Sequence, residues 1–564
     1  MTRVFKSLYP QPPELSTCNY YNFVFSRPEI ASWSDWTAFI DGLTGERRTF
    51  RSTVARIETA AVALTNLGMV PGGAERIGIL SENCMDYPVI TLALLKLATP
   101  FVLFPAFGTV HESIALVKLS QATCLFVSLR LFPLGLVAAK AAGIPQDRVY
   151  LLHGRARGTH NFGDMIVQAK STDRLATCPV DDRTLAYLVF SSGTSGLPKA
   201  VMISHGNLIA SALQPIVMGA VVEKLYTPPP LKTDEGVHVS ICFTPLYHAM
   251  GLHIYILRFF LIPSTTIMIP KWDLNLVLDL IPKYKVTDLV VVPAMAHQLV
   301  NSERFNTMDL SNLSLVGSGA AHMPSDLRAR FTMRMAIKWY SEGYGLSECT
   351  VSAIFAPFPG SFGSRASHVP GMTGVLLPGM EAKILREDGS DTDFGEPGEL
   401  YLRGKNIALG YWNNEKATKE TFFPDGWLKT GDRFKADAEG RFFYIDRVKD
   451  TLKVSGVQVA PSEIETVILD HPGRLITDVA VAGVQGMRMA DEKIPRAWVV
   501  LSDAGKKKGE KAVIQELNAW VKEQLSKPKW LRGGIVVVNE IPKSPTGKVL
   551  RRLLVEKGHV RSKL

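Results

Sequence analysis

Short apolar runs recur along the first two thirds of the chain, separated by stretches with helical spacing. RIGIL begins at Arg76, PFVLFPA at Pro100 and CLFVS at Cys124. LAYLVF spans Leu185 to Phe190, and VSICFTPL, TTIMIP, DLVVVPA and LSLVGSG begin at Val239, Thr265, Asp288 and Leu313. Each is strand-length, and a helical pattern such as Asp273 to Tyr284 lies between them. This alternation predicts α/β layers built on parallel sheets. From Gly374 the texture changes to short strands and turns, GVLLPGMEAKIL, GELYLRG and GRFFYIDR, which predicts a smaller β-rich subdomain. Beyond DRVKD, helix and strand alternate again: a helix over Pro461 to Asp470, then DVAVAGV, RAWVVLS, a charged helix from Lys511 to Lys527, and GGIVVVNEIP. The pattern therefore predicts an α/β protein. A large N-terminal domain over 1–446 holds two α/β layered subdomains and a β-rich one, and a small α+β C-terminal domain covers 447–564, with the boundary near Asp446 to Asp450. GKKKGEK at Gly505 reads as an exposed loop.

Length agrees with this division: 564 residues, 46% of them hydrophobic, exceed one core. The most apolar window, Tyr87 to Phe107, is broken by Lys96, Pro100 and Pro105, so it reads as buried elements and not as a membrane span. The polar, proline-rich stretch from Tyr9 to Asn22 lacks the apolar core of a secretory signal. Six cysteines lie far apart with no CxxC pair, which disfavours zinc ribbons and a disulfide framework and suits a reducing compartment. The net charge of +10 attracts polyanions. No interleaved aromatic-basic motif points to nucleic acid, and phosphorylated small molecules are equally acidic partners. The final Ser562, Lys563 and Leu564 spell a peroxisomal address read by an import receptor.

After the run ending at Phe190 the chain reads SSGTSGLPKAVMISH from Ser191. Gly193 and Gly196 permit close backbone approach to a ligand, and the hydroxyls with Lys199 suit an anion. The spacing G-x-x-G-x-x-K differs from the Walker pattern, and Ala200 stands where that motif places its magnesium hydroxyl. On composition alone the stretch fits a phosphate cradle or a flexible surface loop.

The order of residues resembles the phosphate loop of the adenylate-forming superfamily: acyl-CoA synthetases, luciferases and peptide-synthetase adenylation domains. PLYHAMG from Pro245, GSGAAHM from Gly317, EGYGLSE from Glu342, GELYLRGKNIALGYWN from Gly398, DGWLKTGD from Asp425, YIDRVKDTLKVSGVQVAPSEIE from Tyr444 and IPKSPTGKVLRR from Ile541 fit in the same order, with the 4-coumarate–CoA ligase-like branch the closest pattern. The resemblance implies a fold whose small C-terminal domain rotates about a hinge at Lys449 and Asp450. It implies ATP, Mg²⁺ and CoA as cofactor and co-substrates. It assigns Ser191, Ser192, Gly193, Thr194, Ser195 and Lys199 to ATP phosphates. Gly343, Tyr344 and Ser347 go to the nucleotide, Asp432 to the ribose hydroxyls, and Arg447 and Lys449 to ribose or phosphate. Glu348, with Thr194 nearby, would hold the metal. Lys548 would bridge the acyl carboxylate and the α-phosphate. His248 would separate acyl pocket from thiol tunnel. Lys453 and Gly456 would serve the second half-reaction, with Lys271 contacting CoA. Met250, Gly251, His253, Tyr255, Gly319, Ala320 and Phe355 would line the acyl pocket.

Some positions depart from the pattern. Glu342 stands where many relatives have glutamine, Ser347 where they have threonine and Ser455 where they have lysine. Met250 replaces a tyrosine near the ring in 4-coumarate ligases, which disfavours a hydroxycinnamate. The implied activity is ATP-dependent ligation of a small apolar acid, aromatic or medium-chain, to CoA through an acyl-adenylate. A luciferase-like oxidoreductase, a carrier-protein loading enzyme and an inactive nucleotide-binding protein are the alternatives. YHAMG stands where beetle luciferases read HHGFG, and nothing after Lys548 resembles a carrier domain. His205 and His253 are expected to be structural.

Overall fold

A computed structural model describes residues 1–564 except 1–2, 15–16, 170–174, 192–197, 320–322, 324, 336, 338, 366–368, 449, 451, 455–456, 486–492, 526, 544–548, 552 and 557–564, together with the side chains at 325, 326, 364, 453, 457 and 458. The calls on Ser192, Gly193, Thr194, Ser195, Ala320, Lys449, Gly456 and Lys548 lie outside the described residues, as does that on the side chain of Lys453.

Two largely parallel sheets form the body of the protein. One has the order Val149–His153, Cys124–Ser128, Ile77–Leu80, Phe101–Phe104, Leu185–Ser191, Lys199–Ser204. Its first five strands are parallel and the last turns back antiparallel, pairing Ser191 with Lys199. The second has parallel strands Tyr340–Tyr344, Leu315–Ser318, Asp288–Val291, His238–Cys242, Ser264–Met268 and Thr37–Asp41 at its centre, with antiparallel strands at both edges. The apolar runs of the sequence are among their strands. Being covered on both faces, they show continuous rather than alternating apolarity.

The segment from Gly374 builds an all-antiparallel sheet, Phe5–Lys6, Glu381–Leu385, Gly398–Arg403, Leu428–Ala436, Phe442–Arg447, around its own core of Leu400, Leu402 and Phe442. The C-terminal part pairs Ile476–Gln485 with Lys493–Leu501 and adds Ile535–Val537 in parallel. Helices Pro461–Leu469 and Glu510–Gln524 pack Ile464, Leu517 and Val521 onto it, giving a separate core. Large mixed layers followed by a small α+β unit are the expected architecture. Lys453 lies on a short strand, Leu452–Val454, whose backbone pairs it with Gln458.

One expectation fails. GKKKGEK does not open as a loop: Asp503–Lys508 is a helix, capped by Ser502, whose hydroxyl accepts from the Gly505 amide at 3.0 Å. Gly505 is buried there because a Cβ would meet the Leu475 carbonyl at 2.1 Å, so the glycine serves packing and not flexibility. Among the described residues one helix, His205–Val222, has the length and apolarity of a membrane span. Its Leu208, Ser211 and Ala212 are buried in the protein.

Candidate active site

The carboxyl ends of strands from both parallel sheets open into one cavity of about 1140 Å³. Leu80, Phe104 and Ser191 reach it from the first sheet, and Ser318 and Tyr344 from the second. Ligand sites of open α/β sheets form at such strand ends. Single small-molecule pockets hold about 300–1,000 Å³, so this space has room for two reactants side by side.

One wall is polar. The hairpin that begins at Ser191 and returns at Lys199 carries both residues to the cavity. Opposite, the turn after Tyr340–Tyr344 presents Ser347 and Glu348. Glu348 Oε1 accepts from Ser191 Oγ and from Tyr411 Oη, each at 2.9 Å. Lys199 Nζ lies 4.7 Å above the Tyr411 ring. A carboxylate, a lysine and two hydroxyls thus share one corner. The backbone there is tight: a Cβ on Gly345 would stand 1.8 Å from the Val351 carbonyl oxygen. Thr350 and Val351 both adopt positive φ, +50° and +89°. For a β-branched residue that is a strained conformation, of the kind that clusters at functional sites.

Tyr344 and Arg447 form a second polar edge, and both line the cavity. Between them Asp432 is buried, 2% exposed. Its Oδ2 accepts from Tyr344 Oη at 2.8 Å, and its Oδ1 pairs with Arg447 Nε at 3.2 Å. Asp432 therefore lies behind the wall rather than on it.

The other wall is apolar. His248, Met250, Gly319 and Phe355 border it. Burial lowers the pKa of His248 to about 4, so the ring is neutral at physiological pH. Its Nε2 has no hydrogen-bond partner. Gly251, His253 and Tyr255 were expected to line the pocket and do not. Gly251 lets the helix start pack on Pro245, whose carbonyl would be 2.3 Å from a Cβ. A π-turn over His253–Leu257 swings His253 and Tyr255 into the interior. His253 bonds Tyr187 Oη at 2.9 Å, consistent with a structural part for that histidine. Lys271 is exposed beyond the strand Ser264–Met268 and is not on the cavity wall.

Glu342 also sits behind the wall, on the strand that ends at Tyr344. Burial outweighs the Arg328 guanidinium 3.7 Å away and raises its carboxyl to about 7. Tyr411 and Arg258 are cavity residues that sequence reasoning did not single out. Tyr411 falls inside a recognised motif, GELYLRGKNIALGYWN, whereas Arg258 follows an apolar run and carries no motif signal. Among the described residues no three His, Cys, Asp or Glu side chains gather as a metal cluster. Glu348 alone suits a cation that takes most of its ligands from substrate phosphates and water.

Comparison with known proteins defines the class to which this site belongs. The AMP-binding enzyme family model matches residues 27–412, and the AMP-binding enzyme C-terminal domain model matches 463–548. The chain belongs to the AMP-binding enzyme family, with that family's large N-terminal and small C-terminal domains. Among its relatives, it is 30% identical to "Probable 4-coumarate--CoA ligase 1" of Dictyostelium discoideum over 93% of both chains. It is 31% identical to "Peroxisomal OPC-8:0-CoA ligase 1" of Arabidopsis thaliana over 98% of this chain and 95% of that one. The ATP-bound crystal structure of MatB from Rhodopseudomonas palustris superposes with a TM-score of 0.81 at 25% identity, covering 96% of this chain and 99% of that one.

Proposed function

We propose that this chain is an AMP-forming acid–thiol ligase that joins a small apolar carboxylic acid, aromatic or medium-chain, to CoA. The observation that supports the reading best is the meeting of Ser191, Lys199 and Glu348 with His248 and Met250 on one cavity, an anion-binding wall facing an apolar one.

In the first half-reaction a carboxylate oxygen attacks the α-phosphorus of ATP, the bond to the bridging oxygen breaks, and pyrophosphate leaves. The step needs the reactants aligned and their negative charge offset. Lys199 and the glycine-rich segment before it hold the departing phosphates, and Lys548 approaches the α-phosphate and the acid together. Glu348 would hold Mg²⁺, which supplies charge neutralisation on phosphate oxygens when bound. Tyr344 offers its ring to adenine. For Asp432 to receive the ribose diol, Tyr344 or Arg447 yields its place on the carboxylate.

In the second half-reaction the CoA sulfur attacks the acyl carbonyl, the carbon–oxygen bond to AMP breaks, and the thiol proton passes to solvent. A neutral His248 leaves an uncharged gate between acid and thiol. We place the hinge at Lys449 and Asp450, dividing 1–446 from 447–564. Rotation about it removes Lys548 and presents Lys453 and Gly456. The exposed position of Lys271 suits a CoA molecule arriving from outside the cavity.

The peroxisome is the proposed compartment, supported by Ser562–Leu564 and by the name of the Arabidopsis relative. Removing those three residues is expected to leave the protein cytosolic. Unchanged punctate localisation would contradict this. The function itself is tested by incubating the protein with ATP, Mg²⁺, CoA and a panel of carboxylic acids and reading products by mass spectrometry. Acyl-CoA and AMP formed together are the expected result. ATP consumption without thioester for any acid would overturn it.

A further inference from the structure

Arg258 faces the same cavity, and no step above uses it. Met250, Ile254 and Arg258 follow at four-residue intervals through the continuous helical stretch made by Ala249–Leu252, His253–Leu257 and Phe259–Leu261, and all three line the cavity. His248 precedes the start of this stretch and Arg258 falls near its end. It therefore lies at the other end of the apolar wall from His248.

Among the described residues the guanidinium has no carboxylate counter-charge. Nη2 donates to Ser211 Oγ at 2.7 Å, and that hydroxyl also lies 3.2 Å from the Thr350 carbonyl. Nε is buried with no partner. Nη1 makes no hydrogen bond to a described residue and is not among the buried unpartnered atoms, so it is the part presented to the cavity. The ionisable groups around it are the phenols of Tyr20 and Tyr187 and the thiol of Cys349. Burial raises the pKa of all three, so they stay protonated. Burial keeps His253 neutral as well. Arg258 forms no ion pair with a carboxylate among the described residues. Buried charges in proteins are ordinarily paired, because an unpaired one is costly. Here the missing partner coincides with an open cavity.

We infer that Arg258 binds the tail of the substrate acid, and that the acid carries an oxygen acceptor at its far end, a second carboxylate or a carbonyl, which supplies the partner the protein lacks. This rests on the ligase reading and narrows its substrate class from plain apolar acids to medium-length acids oxygenated at the distal end.

The test compares octanoic acid, octanedioic acid, its monomethyl ester and 7-oxooctanoic acid with the wild type, Arg258→Met and Arg258→Lys. Pyrophosphate release gives kcat/KM, and calorimetry in the presence of a non-hydrolysable ATP analogue gives affinity. The wild type is expected to prefer an oxygenated tail over octanoic acid by at least about tenfold, since a site with an unsatisfied polar group penalises the analogue that cannot pair with it. In Arg258→Met the preference collapses to within about twofold, and Arg258→Lys retains it for the diacid. A diacid bound tighter than ester and ketone identifies a carboxylate tail; equal binding of the three identifies a carbonyl. A wild type that favours octanoic acid, or a preference that survives in Arg258→Met, overturns the inference. Should Arg258→Met not fold, the wild-type ratio and Arg258→Lys decide. Absence of pyrophosphate release with every acid would sink the ligase reading instead, and the calorimetric ratio would still decide the part of Arg258.

Discussion

Glu348 accepts two hydroxyl hydrogen bonds and faces the cavity beside Lys199. In Glu348→Gln the amide oxygen keeps both bonds while the charge is lost. Acid-dependent pyrophosphate release should fall by roughly 10²-fold or more, with the melting temperature little changed. Equal activity would remove Glu348 from the chemistry. Glu342 poses a different question, since its carboxyl is raised to about 7 by burial. An unfolded glutamate has a pKa near 4.3, so between about pH 4.3 and 7 the folded chain binds more protons than the unfolded one. Stability contributed by this group is therefore present in acid and lost as pH rises toward and past 7. Glu342→Gln is expected to gain on the order of 2 kcal/mol over the wild type at pH 8 and nothing at pH 4. Denaturant midpoints at the two pH values check this, and a gain at both would show that the charge is not responsible.

The turn after Tyr340–Tyr344 positions Ser347 and Glu348 by bringing Gly345 against Val351. Gly345→Ala pushes these segments apart, and a loss of about 2–4 kcal/mol in stability together with adenylation activity is expected from overpacking at a fixed backbone. Denaturant unfolding and pyrophosphate assays on one preparation read both. Unchanged stability would mean the turn is looser than its geometry. Much of the element scale was legible in the sequence: short uninterrupted apolar runs such as CLFVS fit strands covered on both faces, and the motif order pointed to Ser191, Tyr344 and Glu348. Other features were not legible. Gly505 among lysines looks like a loop because close packing on Leu475 leaves no trace in composition. His253 and Tyr255 were placed on the pocket by the family resemblance, and the π-turn over His253–Leu257 buries both in the interior instead. Asp432 lies behind Tyr344 and Arg447, which only the pairing of its strand with that of Arg447 and the approach of Tyr344 from the other sheet can reveal. Arg258 escaped notice because a cation's missing partner is a fact of three dimensions.

At the scale of the whole molecule, two α/β layers and an antiparallel sheet form the polar and apolar walls, and the small domain is the part proposed to rotate. Arg551 ties Asp450 to Glu465 at 2.9 and 2.8 Å, so the small domain is anchored to the very residue at the proposed hinge. Arg447, three residues earlier, is anchored to the large domain through Asp432. The proposed hinge thus adjoins two ion pairs, one to each domain. Everything turns on the cavity holding an acid and ATP together. The most direct measurement is exchange of labelled pyrophosphate into ATP, with Mg²⁺ and without CoA, as a function of added acid. Exchange that needs the acid, and that Glu348→Gln suppresses, is the expected result. Exchange independent of any acid, or its absence with a full acid panel while ATP still binds, would contradict it.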